Sequence, residues 1–275
     1  MKYSVYAAVC LFFIMVSACD VKKRRSFLPA IAGYNEMKRE MKILDDELLE
    51  ISGMFYMEDG RIASINDEDG RIFLINLKDG SFESHKFAGK GDYEDLVKID
   101  SLFYVLESNG DIHSVKFGDV KQHRQFKFPK KKIEFESLYY REDQHRLVLI
   151  SKDHGQSKPG ILAYGFDLET EQFSEEPYFF IPMKQVFFAA KNNIAECKPS
   201  AAAIQPVTKK LFIIASIGKI MLECDLDGKV SRAYKLNPAQ FPQPEGITFA
   251  PNGDMYISNE GLNGKATIFR FPYHK

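Results

Sequence analysis

The chain has 275 residues, 45% of them hydrophobic and 27% charged, with 23 Phe, 13 Tyr and no Trp. That is enough chain to bury a full core, and too ordinary a composition for a disordered, collagen-like or coiled-coil protein. Lys and Arg number 37 against 38 Asp and Glu, a net charge of -1, so there is no whole-surface attraction for phosphate backbones and no nucleic-acid partner is expected. Four cysteines without a C-x-x-C spacing exclude a disulfide scaffold and a Cys-rich zinc site.

Lys2 precedes an apolar run from Val5 to Val16, short for a spanning helix and suited to the core of a signal peptide. Val16-Ser17-Ala18-Cys19 follows and resembles the bacterial lipobox. The resemblance implies cleavage before Cys19 and an acylated, palmitate-bearing Cys19 anchored in a bacterial membrane, on its periplasmic or outer face. The other reading is an ordinary signal peptide that carries a Cys at this point. Residues 1–18 are thus expected to be a lipoprotein signal, 19–33 a lipidated Cys with its tether, and 34–275 one domain. Lys22-Lys23-Arg24-Arg25 reads either as a solvated tether or as a basic foot on an anionic membrane surface. Asp20 after the acylated Cys leaves inner and outer membrane both open. Cys197 and Cys224 would then remain as the only free cysteines, expected as buried thiols rather than as a bridge.

From residue 34 onward the sequence expects strands. One stretch, Asn35–Leu49, reads either as a helix rich in Glu, Lys, Met and Leu or, over Tyr34–Ile43, as a strand. Asp59-Gly60, Asp69-Gly70, Asp79-Gly80, Asn109-Gly110, Asp227-Gly228 and Asn252-Gly253 supply the positive φ angles of tight hairpins. Between them lie short runs of Ile, Val, Phe and Tyr, the pattern of an all-β meander. The runs repeat. Ser52-Gly53-Met54, Glu94-Asp95-Leu96, Glu136-Ser137-Leu138, Ser200-Ala201-Ala202 and Glu245-Gly246-Ile247 each precede a turn and an apolar strand. The first three starts lie 42 residues apart, the next after 64 and the last after 45. Units of this length fit four-stranded propeller blades. The expected fold is an all-β β-propeller of five blades, with an insertion at Pro182–Glu196. A six-bladed ring with one degenerate blade is the alternative. The last repeat ends after three strands, so Tyr34–Ile43 is expected to supply the fourth and close the ring, which leaves no open sheet edge.

The first strand of each blade lines the central channel, so Ser52, Glu94, Glu136, Ser200 and Glu245 are expected around one mouth. Asp67, Glu68, Glu107, Asp153 and Glu260, at the second-strand ends, approach the same rim. Carboxylates this close cannot all ionise without a counter-charge. Ca²⁺, bound by six to eight oxygens, would relieve them, with Glu94, Glu136 and Glu245 as ligands and Asp67, Glu107 and Glu260 around them. The other reading has each Glu holding backbone N–H groups at a blade junction. Asn66-Asp67-Glu68-Asp69-Gly70 lacks the acids that an EF-hand needs at Ile65 and Asn76, so it is expected as a hairpin turn. His154 is a candidate base near the rim or a solvated loop residue. Walker, G-x-S-x-G, H-E-x-x-H and G-x-G-x-x-G patterns do not occur.

Glu50-Ile51-Ser52-Gly53-Met54, Asn66-Asp67-Glu68-Asp69-Gly70-Arg71-Ile72, Gly91-Asp92-Tyr93-Glu94-Asp95-Leu96, Phe135-Glu136-Ser137-Leu138, Lys198-Pro199-Ser200-Ala201 and Gln243-Pro244-Glu245-Gly246-Ile247 occur in this order. Together they resemble the SdiA-regulated (YjiK-like) β-propeller family of bacterial envelope proteins, over nearly the whole chain from Tyr34. Asp95, Ser137 and Ala201-Ala202 depart from the family pattern. The resemblance implies a calcium-linked envelope protein, and the wider group includes phytase-like and lactonase-like propellers that use channel calcium. Three functions follow as expectations: a membrane-anchored binding protein for Ca²⁺ or a small ligand, a calcium-dependent hydrolase of phosphoesters or lactones, and a protein-interaction scaffold.

Overall fold

The computed structural model describes residues 31–153, 159–191, 194–262 and 264–274. The expected signal segment, Cys19, its basic tether and His154 lie outside the described residues. The chain enters through a single 3-10 turn at Glu36–Lys38 into β1 (Glu40–Ile43), and a second turn at Asp46–Leu48 leads to the first meander. Blade I is β2 (Ile51–Tyr56), β3 (Ile62–Asn66), β4 (Asp69–Ile75) and β5 (Phe82–Lys90). Blade II is β6 (Tyr93–Ile99), β7 (Leu102–Glu107), β8 (Ile112–Lys116) and β9 (Asp119–Phe126). Blade III holds β10 (Glu134–Arg141), β11 (Arg146–Asp153) and β12 (Gly160–Asp167). Its outer edge is shared by β13 (Gln172–Phe173) and β14 (Phe179–Pro182), which both pair with β12. Blade IV is β15 (Lys198–Ile204), β16 (Leu211–Ile217), β17 (Ile220–Cys224) and β18 (Val230–Lys235). Blade V is β19 (Pro244–Phe249), β20 (Met255–Asn259) and β21 (Thr267–Phe271), completed by β1.

The middle strands are apolar on both faces because each blade is covered by two neighbours. In β3, Ile62, Ala63, Ser64 and Ile65 are all buried, whereas the outer β18 has no buried residue. Five apolar clusters fill the five blade interfaces. Between III and IV, for example, Val148, Ile150 and Ile161 pack against Ile213, Ala215 and Leu222. The inner strands β2, β6, β10, β15 and β19 contact one another in a closed ring. The long interval before blade IV holds no sixth blade among the described residues; it is spent on β13, β14 and helix α1 (Met183–Ala189), which buries Val186.

The ring closes as expected from the missing fourth strand. β1 runs antiparallel to β21, with Glu40 opposite Arg270 and Ile43 opposite Thr267. A bridge between Tyr34 and Tyr273 and the 2.9 Å ion pair of Arg270 with Glu40 tie the two ends together. The helical alternative for Asn35–Leu49 survives only as the two single turns.

Five of the six Asp-Gly and Asn-Gly pairs make the expected turns: Gly60, Gly80, Gly110, Gly228 and Gly253 have φ between 81° and 95°. Asp69-Gly70 is the exception, because both residues already belong to β4. The turn lies earlier, where Asn66 Oδ1 accepts the backbone N–H groups of Glu68 and Asp69. Gly70 is needed for a different reason: a Cβ there would stand 2.6 Å from Cβ of Ala88 on the neighbouring strand. Cys197 and Cys224 are buried free thiols.

Candidate functional site

At the start of every inner strand the register slips by one residue. Tyr93 pairs with Glu107 and Asp95 with Leu106, leaving Glu94 unpaired between them. Glu136, Ser200 and Glu245 are skipped in the same way, and in blade I Ser52 and Gly53 together face one residue of β3. Each is a β-bulge, which breaks the two-residue alternation and re-aims a side chain. Five equivalent bulges therefore stand at one mouth of the channel. Ser52, Glu94, Glu136 and Glu245 line a cavity of about 370 Å³ there, together with Asp67 and Glu260 from the second-strand ends.

A second column also reaches this cavity, two residues ahead of the first: Glu50, Asp92, Lys198 and Gln243. Sequence reasoning passed over it, although the same repeat register shifted by two positions contains it. Lys152 and Lys219 complete the charged lining.

Burial dominates the electrostatics. The Glu94 carboxyl is pushed up to about 10, first by loss of water and then by Glu136 and Asp92. Glu245 rises to about 8 through burial, Glu136 and Glu260, against the Ser216 hydroxyl. Glu136 is also raised by burial, opposed by Lys152, whose ammonium group contacts Glu136 Oε1. Asp67 rises to about 6 through burial and the neighbouring Glu50, and its Oδ1 is buried without a hydrogen-bond partner. Burial and a hydrogen bond with Glu50 hold Glu260 above the carboxylate range, while the Gln243 amide donates to its Oε2. At neutral pH the mouth thus keeps protons on carboxyl groups that would ionise in water.

The expected residues do not all meet. Glu107 lines a neighbouring cavity with Asp92, Glu134 and Asp153, and its Oε2 is 3.2 Å from His113 Nε2. His113 Nδ1 lies 2.8 Å from His123 Nε2. Asp153 pairs with Lys198 at 3.2 Å, and Glu68 is exposed. Among the described residues no three His, Cys, Asp or Glu side chains stand close enough to grip one metal ion. The donor chemistry suits a hard cation, with carboxylate oxygens and one orphaned oxygen on Asp67, but the spacing does not, and Lys152 already engages one of the carboxylates, Glu136.

The junction role considered for the glutamates belongs to other residues. Ser52 Oγ donates to the Glu94 carbonyl at 2.6 Å and Ser200 Oγ to the Pro244 carbonyl at 2.7 Å. Asp95, fully buried in β6, accepts the N–H of Leu138 from blade III.

The opposite mouth is different in kind. Phe55, Tyr56, Val97, Tyr140, Ala203, Ile204 and Phe249, at the far ends of the inner strands, line a mainly apolar cavity of about 490 Å³.

Among solved structures, the chain is similar to a luciferin-regenerating enzyme (11% identity, TM-score 0.52, covering 85% of this chain and 95% of that one). It is similar to a streptogramin B lyase (10%, 0.52, 86% and 99%). A third similar structure is a calcium-binding protein, regucalcin, from Agrobacterium tumefaciens (10%, 0.52, 85% and 93%). No protein-family model and no curated protein matches the sequence. At these identities the likeness is one of fold, and the chain is a five-bladed β-propeller.

Proposed function

We propose that this propeller is a binding protein whose acidic mouth takes up a hard cation, Ca²⁺ first among them. The observation that carries the reading is the set of equivalent bulges that delivers Glu94, Glu136 and Glu245 to one cavity, where burial pushes all three carboxyl groups up. These three would have to draw together to hold the ion, since they stand too far apart to grip one as placed, with Asp67 and Glu260 beside them. Bound Ca²⁺ would take the place of the protons that burial keeps on Glu94 and Glu245. That one propeller of similar fold is a calcium-binding protein is an analogy of fold. Calorimetric titration with Ca²⁺ tests the reading: the expected result is saturable binding that weakens in Glu94→Gln and Glu245→Gln. Absence of binding at millimolar metal contradicts it.

The finer identity is part of the same proposal. The ordered motifs that resemble the SdiA-regulated (YjiK-like) family each open an inner strand, or the turn after the second, at equivalent places in the ring. We assign the chain to that group, anchored through acylated Cys19 to a bacterial membrane. Metabolic labelling with palmitate checks the anchor: the label is expected on the wild type and absent from Cys19→Ala.

A second reading, a calcium-dependent phosphoesterase or lactonase, is favoured by the three lysines at the mouth, which suit an anionic substrate. All three are engaged, Lys152 with Glu136, Lys198 with Asp153, and Lys219 donating to the Pro242 carbonyl at 2.6 Å. Binding is therefore preferred. A screen of phosphoesters and lactones with and without chelator separates the two readings, since inertness toward both classes removes the enzyme.

A further inference from the structure

We propose that the apolar mouth of the channel is a binding site for a small, uncharged, largely apolar molecule, separate from the acidic mouth and filled without any cation. Its cavity of about 490 Å³ falls within the range of about 300–1,000 Å³ that small-molecule sites occupy.

Beyond its bulge, each inner strand brings its next residues to this mouth. The second residue past the bulge is Met54, Leu96, Leu138 or Ile247 in four blades, and the third is Phe55, Val97, Tyr139 or Thr248. Blade IV has Ala202 and Ala203 at those two places. Both layers therefore lack a large side chain on the same side of the ring, and the cavity extends there. The turns that line it come from the two blades at that side, Glu142 and Asp143 from blade III and Pro206, Lys209 and Leu226 from blade IV.

The walls are fixed before any ligand arrives. Buried Arg141 holds both Asp143 carboxylate oxygens at 2.8 Å and donates to the Leu226 carbonyl at 3.1 Å, so one guanidinium ties the blade III turn to the blade IV turn. Of the two hydroxyls in the inner layers, Thr248 Oγ1 already accepts the Tyr56 N–H at 2.9 Å, and that of Tyr139 is shut off from solvent. The inner walls thus present mainly carbon. At the rim, Asp143 is neutralised by Arg141, and Glu142 and Lys209 carry opposite charges, so no net charge selects an ion. Water in such a mouth finds few partners, and an apolar body that displaces it gains by the hydrophobic effect. A preformed apolar site with a balanced rim suits an uncharged molecule.

The test is fluorescence titration of the folded chain, in chelator, with phenylnaphthylamine, a neutral dye that brightens in apolar surroundings, and with its anionic sulfonate. The neutral dye is expected to saturate one site, and the sulfonate to bind several-fold more weakly. Ala203→Phe gives blade IV the bulk that Phe55 supplies in blade I. It is expected to weaken the dye about tenfold or more without lowering Tm. Phe188→Ser removes a ring that is 85% exposed on α1, outside the cavity, and is expected to change nothing. Absent or unsaturable binding, equal or tighter binding of the sulfonate, or an equal loss in Phe188→Ser and Ala203→Phe overturns the inference. A dimer that grows with concentration and that the dye dissociates also overturns it, because a second copy then covers the mouth. Should Ala203→Phe fail to fold, Ala203→Leu is read in its place, and an affinity unchanged in that variant overturns the inference. With metal chelated throughout, no outcome bears on the cation reading at the other mouth.

Discussion

The Asp95 carboxylate joins two blades: its Oδ2 accepts the backbone N–H of Leu138 at 2.7 Å, from a fully buried position. Its Oδ1 accepts the N–H of Leu96, and a Cβ on Gly53 of blade I would run into the same carboxyl group. Blades I, II and III thus meet at one side chain, just behind the bulge that presents Glu94. Removing it leaves a buried donor without a partner, which costs about 1–3 kcal/mol. Asp95→Ala is expected to lower stability in urea unfolding by that amount, and Asp95→Asn, which keeps an acceptor, by less. An unchanged midpoint in Asp95→Ala would show that the tie contributes nothing.

The raised carboxyls set the pH dependence of the cation-free protein. Glu94 at about 10 and Glu245 at about 8 lie above their values in an unfolded chain. Between the unfolded and folded values the native state binds more protons than the unfolded state, so stability falls as pH rises. In chelator, Tm is expected to decrease from about pH 5 toward about pH 9, and Glu94→Gln, neutral throughout, is expected to flatten the slope. A Tm that rises across this window contradicts the electrostatic account of the mouth.

Glu107 is held by His113 and lines a different cavity from Glu94 and Glu245. Glu107→Gln is therefore expected to leave Ca²⁺ affinity within about a factor of two, as for a distant site. His113→Ala, which orphans both of its partners, is expected to cost about 1–3 kcal/mol in stability with the same small effect on binding. A large loss of affinity in Glu107→Gln would return that residue to the cation site.

β1 is the only described strand that arrives from the far end of the chain, and it covers the edge of β21. A chain beginning at Leu44 loses that strand along with the Arg270–Glu40 ion pair, and leaves an open sheet edge. It is expected to melt earlier than the full chain and to self-associate with rising concentration in sedimentation. A monomer of unchanged Tm would show that closure is dispensable.

Much of the fold was legible because propeller blades repeat. Asp79-Gly80 and Asn252-Gly253 mark hairpins by local backbone chemistry, and the column from Ser52 to Glu245 recurs at blade spacing. Even the closing strand followed from a missing fourth strand. Tertiary facts were not legible. The role of Gly70 depends on Ala88 across a strand pair, and that of Asp95 on an N–H 43 residues away. The bulges that aim Glu94, Glu136 and Glu245 add one residue each, which no local pattern announces. Lys152 was visible as a lysine near the rim, but its contact with Glu136 required the register of β10 against β11.

The central claim is that the mouth formed by Glu94, Glu136 and Glu245 takes up a cation. Its most direct test is calorimetric titration of the chelator-stripped chain with Ca²⁺, run in two buffers of different ionisation enthalpy. The account predicts one saturable site with a dissociation constant of about 1 mM or tighter. It also predicts a heat that differs between buffers because protons leave the raised carboxyls, and a marked weakening in Glu245→Gln. No binding up to about 10 mM, or binding untouched by Glu94→Gln and Glu245→Gln, would contradict it.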